Sequence, residues 1–149
     1  EFFTVRGYEL QNNNKITYAM EDYIEMIYRI SLNESFIRIN QLSKLLNVRS
    51  SSATKMVQKL SNLELLNYEK YGIITLTSKG KKLGSILLKR HITIETFLTL
   101  LECKKETILI QTELIEHIIN DETVKKLNLL NNFFEDNKDI LDKFKQYKN

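Results

Sequence analysis

Glu113-Leu114-Ile115-Glu116-His117 is the stretch of this chain best equipped for chemistry. On a helix, positions i, i+3 and i+4 share a face, so two carboxylates and an imidazole project together. Anionic oxygens beside a neutral nitrogen suit a hard to borderline divalent cation. No thiolate stands within the stretch to favour zinc or copper(I) instead. The plain alternative is a solvated acidic face that ends in a histidine. Further groups of the same kind lie upstream. Asp22 and Glu25 are three residues apart on one expected helix, and His91 and Glu95 lie one turn apart on another. Taken alone, Asp22 and Glu25 read equally well as first-turn acids favoured by the helix dipole. His91 and His117 are the only 2 histidines in the sequence.

Such side chains need helices to aim them, and the sequence is written for helices. It has 149 residues, no Pro and 4 Gly, which argues against a loop-rich all-β fold. Thr17 is suited to cap a helix running to about Leu32, with Met20, Ile24, Ile27 and Ile30 recurring toward a core. A turn at Asn33-Glu34-Ser35 precedes a short amphipathic helix, Ile39–Val48. Ser50, Ser51 or Ser52 caps the next, whose apolar stripe is Ala53, Met56, Val57, Leu60 and Leu63. Leu66–Tyr71, Gly72 and Ile73–Thr77 read as two short strands about a turn. Thr77 or Ser78 then caps a long helix to Leu101, with Leu83, Ile86, Leu87, Ile94, Phe97, Leu98 and Leu101 as its stripe. A helix with Ile108, Ile110, Leu114, Ile115, Ile118 and Ile119 follows and ends at Asn120-Asp121. Two more are expected, one from Thr123 and one from Asp139 to Tyr147. So much Leu, Ile and Phe on short helices implies apolar surface reserved for subunit contact.

The helix over Ser50–Leu63 has a second face of interest. Ser51, Thr54, Lys55, Gln58 and Lys59 lie opposite the apolar stripe, and these types hydrogen-bond phosphates and base edges. Two short helices with such a face on the second are the layout of a helix-turn-helix, and the strand pair behind it would be a wing. Arg49, Ser50, Ser51 and Ser52 open the expected recognition helix. Lys79 and Lys81 open the long one, where amines meet free backbone amides. Net charge is only +3, but between Lys44 and Arg90 ten Lys or Arg stand against two Glu, and the remainder is mixed to acidic. That asymmetry fits a nucleic-acid face joined to an acidic module.

Other classes are disfavoured. One cysteine, Cys103, forms no intramolecular disulfide and is compatible with a reducing cytoplasm. No apolar run approaches the roughly 18 residues of a membrane span, and no signal-peptide pattern opens the chain. There is no Gly-rich phosphate loop, nucleophile elbow or Cys pair, so a metal-dependent hydrolase is a poor fit and the expectation is a non-enzyme.

These stretches carry a resemblance. Ala19–Tyr28, Ser51–Leu60, Tyr68–Tyr71, Leu76–Lys82, Arg90-His91 and Glu113-x-x-Glu116-His117 resemble, in unbroken order over roughly residues 17 to 140, the manganese-responsive repressors of the DtxR family. The resemblance implies a mainly α fold. It comprises an N-terminal extension (1–16), a winged helix-turn-helix DNA-binding domain with a small β-hairpin wing (17–84) and an all-helical dimerisation and metal-binding domain (85–149). It leaves no room for the SH3-like third domain of iron-responsive members.

The resemblance also implies a ligand set: Asp22, Glu25, His91, Glu113, Glu116 and His117. These would hold Mn²⁺, two ions per subunit, with Fe²⁺, Cd²⁺ or Zn²⁺ as candidate substitutes. Iron-responsive relatives carry Met where Asp22 stands and Cys where Glu113 stands, and the harder oxygens favour Mn²⁺. A cytoplasmic homodimer on palindromic operator DNA, repressing metal-uptake genes, is the implied function. The ion would bridge the two domains and set the spacing of the recognition helices. A winged-helix repressor answering iron or another signal, MarR-like and with an inert acidic cluster, is the alternative. Two departures stand out: Tyr71 precedes Gly72 where the family usually has Arg, and Arg49 replaces a common His.

Overall fold

The structure is a computed structural model and describes residues 16–147. Nearly all of the expected N-terminal extension (1–16) falls outside the described residues. The chain divides into two compact units, the first ending at Gly80 and the second beginning at Lys81.

The first unit opens with α1 (Tyr18–Ser31), capped by Thr17, whose hydroxyl accepts from the Met20 amide. Of its expected stripe, Met20, Ile24 and Ile27 are buried, with Tyr23, and Ile30 is half-buried. The chain then forms a two-residue strand β1 (Ile37–Arg38), helix α2 (Ile39–Leu45) and helix α3 (Ser50–Asn62). Strands β2 (Leu66–Tyr68) and β3 (Ile73–Leu76) follow about a short 3-10 turn, Lys70–Gly72. The sheet is antiparallel in the order β1-β3-β2, with Ile37 opposite Ile74 and Leu66 opposite Leu76. Ala53, Val57 and Leu60 of α3 pack with Ile74, Leu42 and Leu65 in one apolar core. This is a helix-turn-helix with a hairpin behind it.

Three local readings are corrected here. None of the serines caps α3: its N-cap is Arg49, without a side-chain cap bond, and the Arg49 carbonyl already accepts from Ser52 and Ala53. The Ser50 hydroxyl pairs instead with Ser43 at 3.2 Å. Helix α2 stops at Leu45 rather than Val48, because Asn47 turns into the left-handed region at φ 52°. Strand β1 was not expected at all, since two residues show no periodicity.

Helix α4 (Ser78–Leu100) crosses from the first unit into the second and is followed by α5 (Lys105–Glu116), α6 (Asp121–Asp136) and α7 (Lys138–Gln146). Asn120 does not end α5; it caps α6, its side chain accepting from the Thr123 amide at 2.8 Å. Phe134 of α6 joins Phe144 of α7 at a ring separation of 5.9 Å. The apolar stripe expected on α4 is only partly inside: Leu87, Ile94 and Leu98 are buried, while Ile86 and Leu101 are exposed. On α5 much of the apolar surface lies outside. Ile110 and Leu114 are 63% and 66% exposed, and the buried residues are Thr112 and Glu116. Among the described residues no helix is long and apolar enough to cross a membrane.

Candidate metal centre and nucleic-acid interface

The second unit buries polar groups where a small helical unit would ordinarily bury Leu. On α4 the positions 87, 91, 94 and 98 follow helical spacing, and His91 takes a place in that stripe at 5% exposure. On α5 Thr112 and Glu116 lie one turn apart, both inside. The two stripes meet at His91 and Glu116, with Nδ1 and Oε2 2.7 Å apart. Glu113 stands at the rim with Oε1 3.8 Å from the same Nδ1. On the other side of the ring, Glu95 Oε2 lies 3.9 Å from Nε2. His117 continues the helical conformation as the C-cap of α5, its Nε2 3.8 Å from Glu116 Oε1. The i, i+3, i+4 spacing thus brings Glu113, Glu116 and His117 to one place, as read from the sequence, and adds His91 and Glu95 to them.

These donors suit a divalent ion by type, and His91 Nδ1 and Glu116 Oε2, 2.7 Å apart, stand at the roughly 3 Å spacing of neighbouring donors on one such ion. A carboxylate–imidazole set with no sulfur suits the hard to borderline end of the series. A residue the sequence reading left unused fixes the cluster: Arg90, beside His91, donates from Nη1 to the Glu116 carbonyl at 3.1 Å and from Nη2 to Asp121 at 3.0 Å. It thereby ties the end of α5 and the start of α6 to α4. The signal was present in the Arg90-His91 pair.

In the first unit, Asp22 and Glu25 sit on α1 as expected. Glu25 is buried, and its Oε1 accepts from Arg29 Nε at 2.9 Å and Nη2 at 2.5 Å. Arg29 was also missed, although Glu–Arg at i, i+4 is a readable pair. Burial raises the pKa of Tyr23, one residue from Asp22, because the phenolate would lose its water.

The polar face of α3 is laid out as the sequence predicts. Arg49, Ser50, Ser51, Ser52, Lys55, Gln58 and Lys59 are exposed, while opposite them Ala53, Val57 and Leu60 are buried and Met56 and Leu63 half-buried. Thr54 donates to the Ser50 carbonyl at 2.8 Å, which turns its hydroxyl inward along the helix. Lys79 reaches back to the Leu63 carbonyl at 2.9 Å, so it closes the C-terminus of α3 besides opening α4. Lys81 is exposed one turn into α4.

Residues 15–74 match the family model for the N-terminal DNA binding domain of the iron dependent repressors, and residues 77–145 match the metal binding and dimerisation domain of the same family. The chain belongs to the DtxR family, in its MntR branch. An HTH-type transcriptional regulator MntR of Oceanobacillus iheyensis is 42% identical over 120 residues, covering 80% of this chain and 82% of that protein. Among solved structures, the manganese regulator SloR aligns with a TM-score of 0.67 at 31% identity, over 76% of this chain and 54% of that one. ScaR with bound Zn²⁺ aligns at 0.64 and 34% identity, over 74% and 52%. The chain therefore spans about half the length of these solved relatives. The family is one of transcriptional repressors, not of enzymes.

Proposed function

We propose that this chain is a manganese-activated transcriptional repressor that binds palindromic operator DNA as a homodimer and controls manganese-uptake genes in the cytoplasm. The observation that carries the reading is the buried His91–Glu116 pair with Glu113, Glu95 and His117 gathered round it. A buried carboxylate and imidazole are costly to desolvate, and a cation that both can ligate gives the burial a purpose. The oxygen-rich donor set supports Mn²⁺ ahead of Zn²⁺ or Cd²⁺, which bind more tightly to softer sites. The full ligand set in this reading is Asp22, Glu25, His91, Glu113, Glu116 and His117, with two ions per subunit.

Asp22 and Glu25 belong to the DNA-binding domain (17–84), and the other four to the dimerisation domain (85–149). A site drawing on both sets couples them. Without a cation the carboxylates repel one another and loosen the linkage. With one bound, the range of spacings open to the dimer's two α3 helices narrows. Two such helices read successive major grooves only when about 34–36 Å apart, or a multiple of that distance. Coupling of this kind is typically about 1–3 kcal/mol and is reciprocal, so DNA also tightens metal binding. The exposed Ile110 and Leu114 of α5 support the homodimer.

The test is binding to palindromic duplexes from the promoters of the host's manganese-uptake genes, titrated with Mn²⁺ and then anaerobically with Fe²⁺ at fixed salt. Tight binding only with Mn²⁺ is expected. Equal binding with and without metal would leave a winged-helix DNA binder whose acidic cluster has another role.

A further inference from the structure

We propose that Arg29 is a built-in counter-cation on Glu25. Its guanidinium holds the carboxylate in the metal-free protein, competes with the incoming divalent ion, and so sets how much Mn²⁺ the protein needs before it responds. This rests on the reading of Glu25 as a metal ligand and adds to it a residue that opposes metal binding.

Glu25 lies on the inner side of α1, where Met20, Tyr23, Ile24 and Ile27 of the same helix are also buried. A carboxylate so placed loses most of its water and requires a positive partner. Arg29 supplies one from a single turn further along the helix. Its Nε and Nη2 donate to Glu25 Oε1 at 2.9 and 2.5 Å. Both donors converge on one oxygen instead of taking one each. The contact is therefore not the parallel fork in which arginine binds carboxylates most firmly. The Arg29 side chain is 40% exposed against 11% for that of Glu25. The guanidinium thus reaches the acid from the solvent side and can go back to water without rearrangement of the core.

An i, i+4 Glu–Arg pair ordinarily supports an exposed helix, and an arginine in the last turn also suits the helix dipole. Either role is filled as well on the outer face, so neither accounts for an acid held inside. A guanidinium and a divalent ion use the same carboxylate lone pairs. An ion at Glu25 displaces the charge-assisted hydrogen bonds, and a guanidinium that stays beside it repels it. Both effects weaken metal binding. Because the pair stabilises the metal-free state above all, losing it should lower metal-free stability and raise metal affinity together.

The test is Mn²⁺ binding to the full chain without DNA, followed by calorimetry, beside urea unfolding of the metal-free protein. Arg29→Gln removes the charge and keeps a good helix former. It should bind Mn²⁺ about five- to tenfold more tightly, the scale of one hydrogen bond to a charged group, while its metal-free urea midpoint falls. An arginine with only a structural role would lower the midpoint without raising the affinity. Arg29→Lys keeps the charge without the fork and should fall between the two, which carries the test if Arg29→Gln does not fold. Unchanged or weaker Mn²⁺ affinity in these variants, or an unchanged metal-free midpoint, would overturn the counter-cation and leave the repressor reading standing. Glu25→Gln should lose Mn²⁺ affinity. Wild-type affinity in that variant would remove Glu25 from the ligand set and leave Arg29 nothing to compete for. If the wild-type protein binds no Mn²⁺, the repressor reading fails and this inference with it.

Discussion

His91 Nδ1 lies 2.7 Å from Glu116 Oε2, across two helices and 25 residues of chain, with each side chain only 6% exposed. The pair occupies the interior of a unit that leaves Ile110 and Leu114 outside. Removing one member of a buried pair typically costs about 3–5 kcal/mol, whereas replacing both with packed hydrophobes is often neutral or stabilising. An imidazole and a carboxylate in this position are therefore explained by what they bind better than by the fold they support.

The double variant His91→Leu/Glu116→Leu tests that explanation. Without metal it should unfold at a urea midpoint equal to or above wild type, while His91→Ala alone should lose about 3–5 kcal/mol. The double variant should also show no stabilisation by Mn²⁺, where wild type gains by mass action. A double variant clearly less stable than wild type in the absence of metal would make the pair a structural element first.

His117 offers a gentler probe, because it sits at the C-cap of α5 rather than in the stripe. His117→Ala should abolish metal-dependent DNA binding and leave the circular dichroism spectrum and metal-free stability within about 0.5 kcal/mol of wild type. Operator binding with full Mn²⁺ dependence in this variant removes His117 from the ligand set.

On α3, Lys55 and Lys59 are exposed on the face opposite Val57 and Leu60. Lys55→Ala and Lys59→Ala should each weaken DNA binding and reduce the salt slope by about one, as loss of a phosphate contact does. Mn²⁺ affinity measured without DNA should not change. If it falls, the recognition face and the metal centre are not separate devices.

Much of this was legible because helices declare themselves locally. Thr17 capped α1 where expected, and Ala53, Val57 and Leu60 lie inside on α3. The pentapeptide at 113–117 met His91 because spacing on a helix fixes direction. The side of α5 that faces inward was not legible. Periodicity identifies an apolar face but not what covers it, and Ile110 and Leu114 look the same whether their partner is this chain or another. The serines of α3 misled for a different reason: Ser50, Ser51 and Ser52 lie inside the first turn, so the cap position one residue earlier falls to Arg49, and the Ser50 hydroxyl pairs with Ser43 across the helix-turn-helix. Strand β1 was too short to leave a pattern, and Arg29 and Arg90 lay in plain view without a rule assigning them to the acids they hold.

Ile110 and Leu114 give the dimer its own test. Leu114→Glu places a charge on the exposed apolar face of α5 and should shift the protein from dimer to monomer in sedimentation equilibrium. DNA affinity should fall with it, since two α3 helices on one duplex bind by effective concentration. A variant that stays dimeric puts the subunit contact elsewhere on the second unit.

Gly80 is the position where the first unit tolerates least. A Cβ there would stand 1.8 Å from the Leu65 carbonyl oxygen. That carbonyl has little freedom: Leu65 is 1% exposed, and its oxygen accepts from the Thr77 hydroxyl at 3.1 Å. Thr77 also donates to the Glu64 carbonyl and accepts from the Gly80 amide, so the start of α4 is bound to the end of α3 from both sides. Gly→Ala inside a helix ordinarily stabilises by about 1 kcal/mol. Here the clash outweighs the propensity, and Gly80→Ala should lose roughly 3 kcal/mol or more in urea unfolding. An unchanged or higher midpoint would show that the first turn of α4 can move away from Leu65 at little cost.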